Sequence, residues 1–427
     1  MGDIYSSAEL TLIAAAGTNS SYGLPGVGRD RKHLGHDVRV GRLRFVTTYE
    51  WDMDEIYHSV WSSRAWTFQE GYMSRRRLFF MEARLIYICD NNREVYCDAE
   101  IGFKDRRLDS LGHLSDSLPF ESLGLSHAEN LLKEYTRRKL TFDSDALNGI
   151  VGVLNTLSTA ESPIFHTWGV TFGGSPLVIA LAWFHYNPCR RRKAFPSWSP
   201  LGWERVADYY YNSAPVISPN FHVIVWDSNE FIQLSKVNQN LLQQSGAESL
   251  DKSRYLGITA KLGWLEVRYF STRDLLSISW PTPTGKKRPQ KVYTPSGFYV
   301  RLPDDDGDEG DTVEMYATEP PRWDLEPDHS SGLIRFSCAI IPQGHVTGRT
   351  FDEARTMIVI ILQSHGTHYE RIGSFKYPSM FRDNGILSRN KSGGLKMRSR
   401  QSSGHDYGDE ELAKVFNKPM MQMFLLG

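Results

Sequence analysis

Cysteine is scarce in this chain, and no long apolar run occurs. The four cysteines, Cys89, Cys97, Cys189 and Cys338, include no C-x-x-C pair. We read them as reduced, buried thiols of a cytoplasmic protein, not as a disulfide framework or a zinc site. No stretch approaches the roughly 18 apolar residues of a membrane span. The first residues lack the basic-then-apolar order of a signal peptide. A net charge of −1 leaves no global field to draw the protein onto nucleic acid or an acidic membrane. Phosphate loop, dinucleotide fingerprint and G-x-S-x-G elbow are all missing. The histidines are scattered, and we expect no metal site; His365 and His368 read as a turn between strands.

What is present is ordinary globular composition, 40% hydrophobic and 23% charged over 427 residues, enough for two or three domains. Aromatic residues are plentiful (11 Trp, 20 Tyr and 21 Phe), which favours packed β-structure over disorder.

The stretch that organises the rest is Trp61-Ser-Ser-Arg64-Ala-Trp66-Thr-Phe68-Gln69-Glu70, continuing through Met73 to Arg75-Arg76-Arg77. Helical spacing puts Trp61, Ala65, Phe68 and Tyr72 on one face and Trp66, Gln69, Glu70 and Met73 on a second. Ser62 or Ser63 is expected to cap the start, and the arginines suit the end of the dipole. Two readings of the Gln-Glu pair stand side by side: ordinary bonds to arginine or backbone, or the lining of a site or interface.

This decamer resembles the Arg-Gly-Trp-Thr-Leu-Gln-Glu signature of the fungal heterokaryon-incompatibility (HET) domain, with Ala65 for the Gly and Phe68 for the Leu. The surroundings extend the resemblance. Residues Met1 to Ala8 read as the end of an amphipathic helix, Glu9 to Ala16 as a buried strand, and Gly17 to Gly26 as a loop. In HET domains these elements follow two earlier strand motifs that this sequence does not contain. The expectation is therefore the second half of a HET domain whose opening strands are missing, by natural truncation or by a start assigned at an internal methionine. Further on, Leu140-Thr-Phe142-Asp143, Trp168-Gly169 and Leu177 to Phe184 resemble the sequence that follows the signature. Phe195-Pro196-Ser197-Trp198-Ser199-Pro200-Leu-Gly202-Trp203 resembles a Pro-Ser-Trp-Ser-Trp-x-Gly-Trp marker, with Pro200 departing from it. Proline removes an N–H, so no central strand is expected to run through Pro200.

Read in order, Val38 to Val46 gives one or two short strands, and Leu78 to Phe80 with Leu85 to Cys89 a hairpin. Residues 90–124 read as a polar surface loop. Ser126 and Glu129 form a capping box that opens a helix. A second helix carries Leu147, Ile150, Val151, Leu154 and Leu157 on one stripe, with Gly149 and Gly152 allowing close approach. Arg190 to Lys193 read as a solvated turn, because no aromatic platform accompanies them for nucleic acid. Short strands are expected at Phe221–Trp226, Phe231–Leu234, Tyr255–Ala260, Leu265–Tyr269, Leu275–Trp280, Gly297–Val300, Val313–Tyr316, Leu333–Ile341, Thr356–Gln363 and Tyr369–Gly373. Asp304 to Asp311 is a charged loop without the spacing of a calcium loop.

The expected fold is thus α/β, a partial TIR-like HET domain, followed by a helical hairpin and a β-rich C-terminal region. The segments are 1–124 (the HET half-domain), 125–204 (helical, with the Pro-Ser-Trp-Ser marker), 205–379 (β-rich) and 380–427 (a flexible tail). The resemblance implies fungal non-self recognition and programmed cell death, signalled through assembly with other proteins of the incompatibility system, self-association among them. Truncation could leave the protein inactive. In that reading Arg64, Trp66 and Gln69 form a binding interface, and no nucleic acid, membrane span, metal or cofactor takes part. The alternative implied by the same resemblance is a TIR-like NAD glycohydrolase. NAD is then a substrate, Glu70 the catalytic carboxylate, and Trp66 and Arg64 the pocket wall.

Overall fold

The computed structural model describes residues 2–32, 37–46, 54–89, 94–97, 125–159, 163–173, 178–186, 189–209, 222–227, 230–233, 254–270, 276–280, 288–292, 297–301, 312–317, 333–347, 350–377, 386–389, 395–398 and 420–427. The chain divides into two compact units, Met1–Phe165 and His166–Gly427. The first is mixed α/β and the second is dominated by β-structure.

The first unit opens with helix α1 (Gly2–Ser7) and strand β1 (Thr11–Ala14). Next come the hairpin β2 (Asp37–Val40) and β3 (Leu43–Val46), the helices α2 (Asp54–Tyr57) and α3 (Thr67–Met73), and the strands β4 (Arg76–Phe80), β5 (Leu85–Cys89) and β6 (Glu94–Cys97). Helices α4 (Leu125–Thr136) and α5 (Asp145–Leu157) complete it. The sheet order is β1-β4-β5-β6, with β1 parallel to β4 and the other pairs antiparallel. One face is core: Ile13, Phe79, Ile86 and Ile88 bury together with Ile56, Trp61 and Met81. Trp61 meets Phe79 edge to face at 5.5 Å, a favoured aromatic geometry.

Three expectations change here. β1 is buried on one face only: Ile13 is inside, whereas Leu12 is 59% exposed and Ala14 is also exposed. The core packs against its Ile13 face, and the opposite face, with Leu12 and Ala14, is left uncovered; laterally, only β4 pairs with it among the described residues. Within the stretch read as a polar loop, Glu94–Cys97 is a strand on β5; residues 98–124 lie outside the described residues. Finally, α4 is already helical at Leu125, which places the backbone of Ser126 within its first turn and not at the residue before it. Burial pushes the Glu129 carboxyl of that helix up to about 7.

The second unit begins as β7 (Ile164–Thr167) crosses the division. It continues with β8 (Val170–Gly173), β9 (Val178–Ile179), β10 (Trp183–Phe184) and β11 (Asp208–Tyr209). Trp168 and Gly169, both with positive φ (50° and 80°), make the tight turn between β7 and β8. A Cβ on Gly169 would lie 2.5 Å from Leu201 Cδ1, so glycine is required there twice over.

A sheet of eleven strands follows. Its members are β12 (His222–Asp227), β13 (Glu230–Gln233), β14 (Leu256–Phe270), then β17 (Gly297–Arg301) and β18 (Thr312–Ala317), which come after a separate hairpin of β15 (Leu276–Trp280) and β16 (Arg288–Val292). The remaining members are β19 (Leu333–Thr347), β20 (Thr350–Ser364), β21 (Tyr369–Tyr377), β22 (Ile386–Arg389), β23 (Leu395–Arg398) and β24 (Met420–Leu426). Ile358 to Leu362 of β20 are all buried, so both faces of the sheet are covered at its centre. The two strands expected at 255–269 are one continuous strand. The charged loop at 304–311 lies outside the described residues. In the segment expected to be a flexible tail, β24 pairs along its length with β14.

Pro200 does avoid a strand: it opens a short 3-10 turn, Pro200–Gly202, with Ser199 Oγ accepting from Leu201 N at 3.1 Å. The basic run beside it is solvated only at its ends, Arg190 and Lys193, while its middle is drawn inward. Arg192 is buried and donates to the carbonyls of Leu201 (3.0 Å) and Trp203. Arg191 donates to those of Phe195 and Gly202. An irregular buried loop leaves carbonyls without ladder partners, and these guanidinium groups supply them.

Candidate functional site

The signature stretch is built in two parts. Its first half is a turn, not a helix. Thr67 Oγ1 donates to the carbonyls of Trp61 (2.5 Å) and Arg64 (2.7 Å), so the helix starts only at Thr67. Ser62 and Ser63 spend their hydroxyls on carbonyls of the preceding turn and do not cap it. Trp61, Ala65, Phe68 and Tyr72 are nevertheless all buried, as helical spacing requires, because the turn keeps the same handed path. A short parallel bridge pins this turn to the connector after α4: Lys139 N donates to Ser63 O (2.7 Å) and Ala65 N donates to Lys139 O (2.9 Å).

The second half, α3, is held against α5 by polar contacts. Gln69 is buried; its Nε2 donates to Asn148 O at 2.7 Å, and its Oε1 accepts from Gly152 N at 3.0 Å. Those two groups lie four residues apart on α5 and pair with each other in an uninterrupted helix. The Gln69 carboxamide thus bonds to both members of one such pair on α5, tying α3 to it. Trp66, half-buried, donates its indole N–H to Asp145 Oδ2 at 3.1 Å, at the start of α5.

Glu70 faces α1 and the core. Its Oε2 accepts from Trp61 Nε1 at 3.3 Å, and the Tyr5 hydroxyl donates to the same carboxylate. Burial and that neighbouring charge hold the Tyr5 hydroxyl above its usual range. Arg138 lies with its guanidinium carbon 4.9 Å from the Phe68 ring centre and donates to Thr67 Oγ1 at 3.0 Å. Burial lowers it to about 10, which leaves it charged at neutral pH; Glu134, Tyr135, Tyr57 and Glu70 oppose that shift. Arg64 is exposed.

Of the four residues singled out from sequence, Trp66, Gln69 and Glu70 are thus engaged with α5, Trp61 and α1, and Arg64 faces solvent. Arg138, Tyr5 and Asp145 join them without having been singled out. The signal available for the α5 contact was the Gly149/Gly152 pair. A Cβ on Gly149 would meet the Tyr135 hydroxyl oxygen at 2.4 Å, and one on Gly152 would meet Gln69 Oε1 at 2.2 Å. Among the described residues no cluster of His, Cys, Asp or Glu is arranged to hold a metal. Cys89 and Cys338 are buried free thiols, and burial pushes Cys338 up to about 12. No helix among the described residues is long and apolar enough to cross a membrane.

Residues 1–70 match the family model described as Heterokaryon incompatibility protein (HET), and the match ends at Glu70, the last residue of the signature. No curated protein and no solved structure matches the chain.

Proposed function

We infer that this HET domain family protein acts in fungal non-self recognition, triggering cell death through assembly with other copies or partner proteins, and that β1 is the assembly edge. The observation that carries this reading is the state of that strand. β1 pairs on one side only among the described residues, and it presents Leu10, Leu12 and Ala14 to solvent. Thr11–Ala14 contains no proline, lysine or bulge of the kind that blunts sheet edges. An open apolar edge is a template for strand addition.

Self-pairing also has a consistent register. If two copies meet antiparallel with Leu12 opposite Leu12, Leu10 falls opposite Ala14 and the exposed residues stay on one face. A slip by one residue would set Leu12 against the core residue Ile13.

The rival reading is TIR-like NAD hydrolysis at Glu70, a half-buried carboxylate held by an indole and a phenol. One experiment separates the two. The full chain is overexpressed in a fungal host, with growth and NAD followed for wild type, Leu12→Lys and Glu70→Gln. Assembly signalling gives growth arrest at unchanged NAD, abolished by Leu12→Lys and kept by Glu70→Gln. NAD loss that disappears with Glu70→Gln would replace this reading with the enzymatic one.

A further inference from the structure

The hairpin of β2 and β3 carries its own exposed apolar face. Its register sets Val38 against Phe45 and Val40 against Leu43. Residues two apart on a strand share a face, so these four side chains form one apolar patch. All four are exposed, at 51%, 55%, 61% and 65% for Val38, Phe45, Val40 and Leu43. Gly41, with φ 63°, and Arg42 close the tight two-residue turn. A lone two-stranded hairpin is marginally stable in water, so a face like this gains from being covered.

Charge indicates what covers it. Arg39, Arg42 and Arg44 stand against one acidic residue, Asp37, within the hairpin. Arg39 and Arg42 are exposed, Arg39 on the face behind the apolar patch and Arg42 at the tip. Just before the hairpin, Arg29 stacks on Tyr22 and Lys32 pairs with Glu82 at 3.3 Å, whereas Arg39 and Arg42 carry their charge outward.

We propose that this hairpin is a peripheral membrane anchor, laying the Val38, Val40, Leu43 and Phe45 patch into an anionic phospholipid surface with its arginines on the lipid phosphates. An interfacial element that sinks one layer of side chains leaves its cations at headgroup level. Arginine stems are long enough to run back along the apolar layer while the guanidinium stays at the phosphates. An apolar groove on a protein would cover the patch equally well, but would leave the arginine behind it and the one at the tip with nothing to bind. The near-neutral net charge makes the attraction local, so it fades as salt shortens the screening length.

The test is co-flotation of the full chain with phosphatidylserine-containing vesicles and with pure phosphatidylcholine vesicles. Wild type floats with the anionic vesicles and is released by added salt. Arg39→Glu with Arg42→Glu lowers the partition about tenfold or more, Arg39→Lys with Arg42→Lys retains it, and Leu43→Asp abolishes it. Hydrogen exchange on the unmodified protein gives a readout that needs no variant: anionic vesicles protect amides 37–46. Absence of flotation, flotation that the charge-reversed and Leu43→Asp variants share with wild type, or bound protein with unprotected amides 37–46 would each overturn the proposal. Self-association that Leu43→Asp abolishes, without flotation, would assign the patch to a second copy and overturn it as well.

Discussion

Gln69 and Gly152 are complementary: the glutamine carboxamide oxygen accepts from the glycine N–H at 3.0 Å, in the space where any other residue would place its Cβ. Because a Cβ there would lie 2.2 Å from that oxygen, the two positions are coupled. Gly152→Ala should destabilise the first unit by about 2–3 kcal/mol by displacing Gln69 and leaving buried polar groups unpaired. In a Gln69→Ala background the obstacle is gone, and alanine brings its higher helix propensity. The added cost of Gly152→Ala should then fall to about zero. Urea unfolding of the two single variants and the double variant checks this as a mutant cycle.

Arg138 fastens the connector to the signature. Arg138→Ala should cost about 2 kcal/mol, through the lost bond to Thr67 and the lost contact over Phe68. Arg138→Lys should recover less than half, since an ammonium lacks the flat surface that lies over the ring. Denaturant midpoints for the two variants give the comparison.

The last residues are tied into the second unit through Ser197. Ser197 N and Oγ both donate to Gly427 O, and Ser197 Oγ accepts from Arg371 N at 2.9 Å. Ser197→Ala should therefore leave the buried Arg371 N–H without this acceptor and cost roughly 1–3 kcal/mol. Removing 420–427 strips β24 from β14 and takes away Leu426 and Phe424, the strand partners of the buried Leu256 and Ile258. That deletion should lower the melting temperature far more than Ser197→Ala, as differential scanning calorimetry would show.

His166 makes the second unit acid-sensitive. It is buried with neither ring nitrogen hydrogen-bonded, and burial lowers it to about 4. Below the ordinary histidine value near 6.5 the unfolded chain takes a proton that the folded state refuses. Stability from this group is therefore complete above that value and is lost as pH falls toward 4, by about 3 kcal/mol in all. His166→Phe should remove this share of the pH dependence of unfolding in that window, while His185, which burial lowers to about 3, keeps the rest.

Much of the architecture was legible in the chain, and the failures have local causes. Runs rich in valine, isoleucine and aromatic residues located most of the long strands. β14 was read as two because Lys261-Leu-Gly263 looks like a break, yet the backbone keeps its pairing with β19 straight through Gly263. β24 was missed because Met-Met-Gln-Met-Phe-Leu-Leu has no β-branched residue, and its strand character comes from the partner β14. The signature was located, but helical spacing cannot show that Thr67 delays the helix or that Gln69 bonds to the backbone of another helix. The Thr67 bonds are local, to carbonyls six and three residues back, whereas the Gln69 bonds join residues 79 and 83 positions apart. Arg191 and Arg192, before the Pro-Ser-Trp-Ser marker, differ from the solvated turn expected there for the same kind of reason: the carbonyls they satisfy are brought to them only once the loop has folded.

The account rests on β1 as an assembly edge, and the most direct measurement is the molar mass of the full chain by light scattering across a concentration series, for wild type and Leu12→Lys. Wild type should form a concentration-dependent oligomer that Leu12→Lys reduces to monomer while its melting temperature stays within a few degrees of wild type. A monomer at every concentration, or an oligomer indifferent to Leu12→Lys, would contradict it.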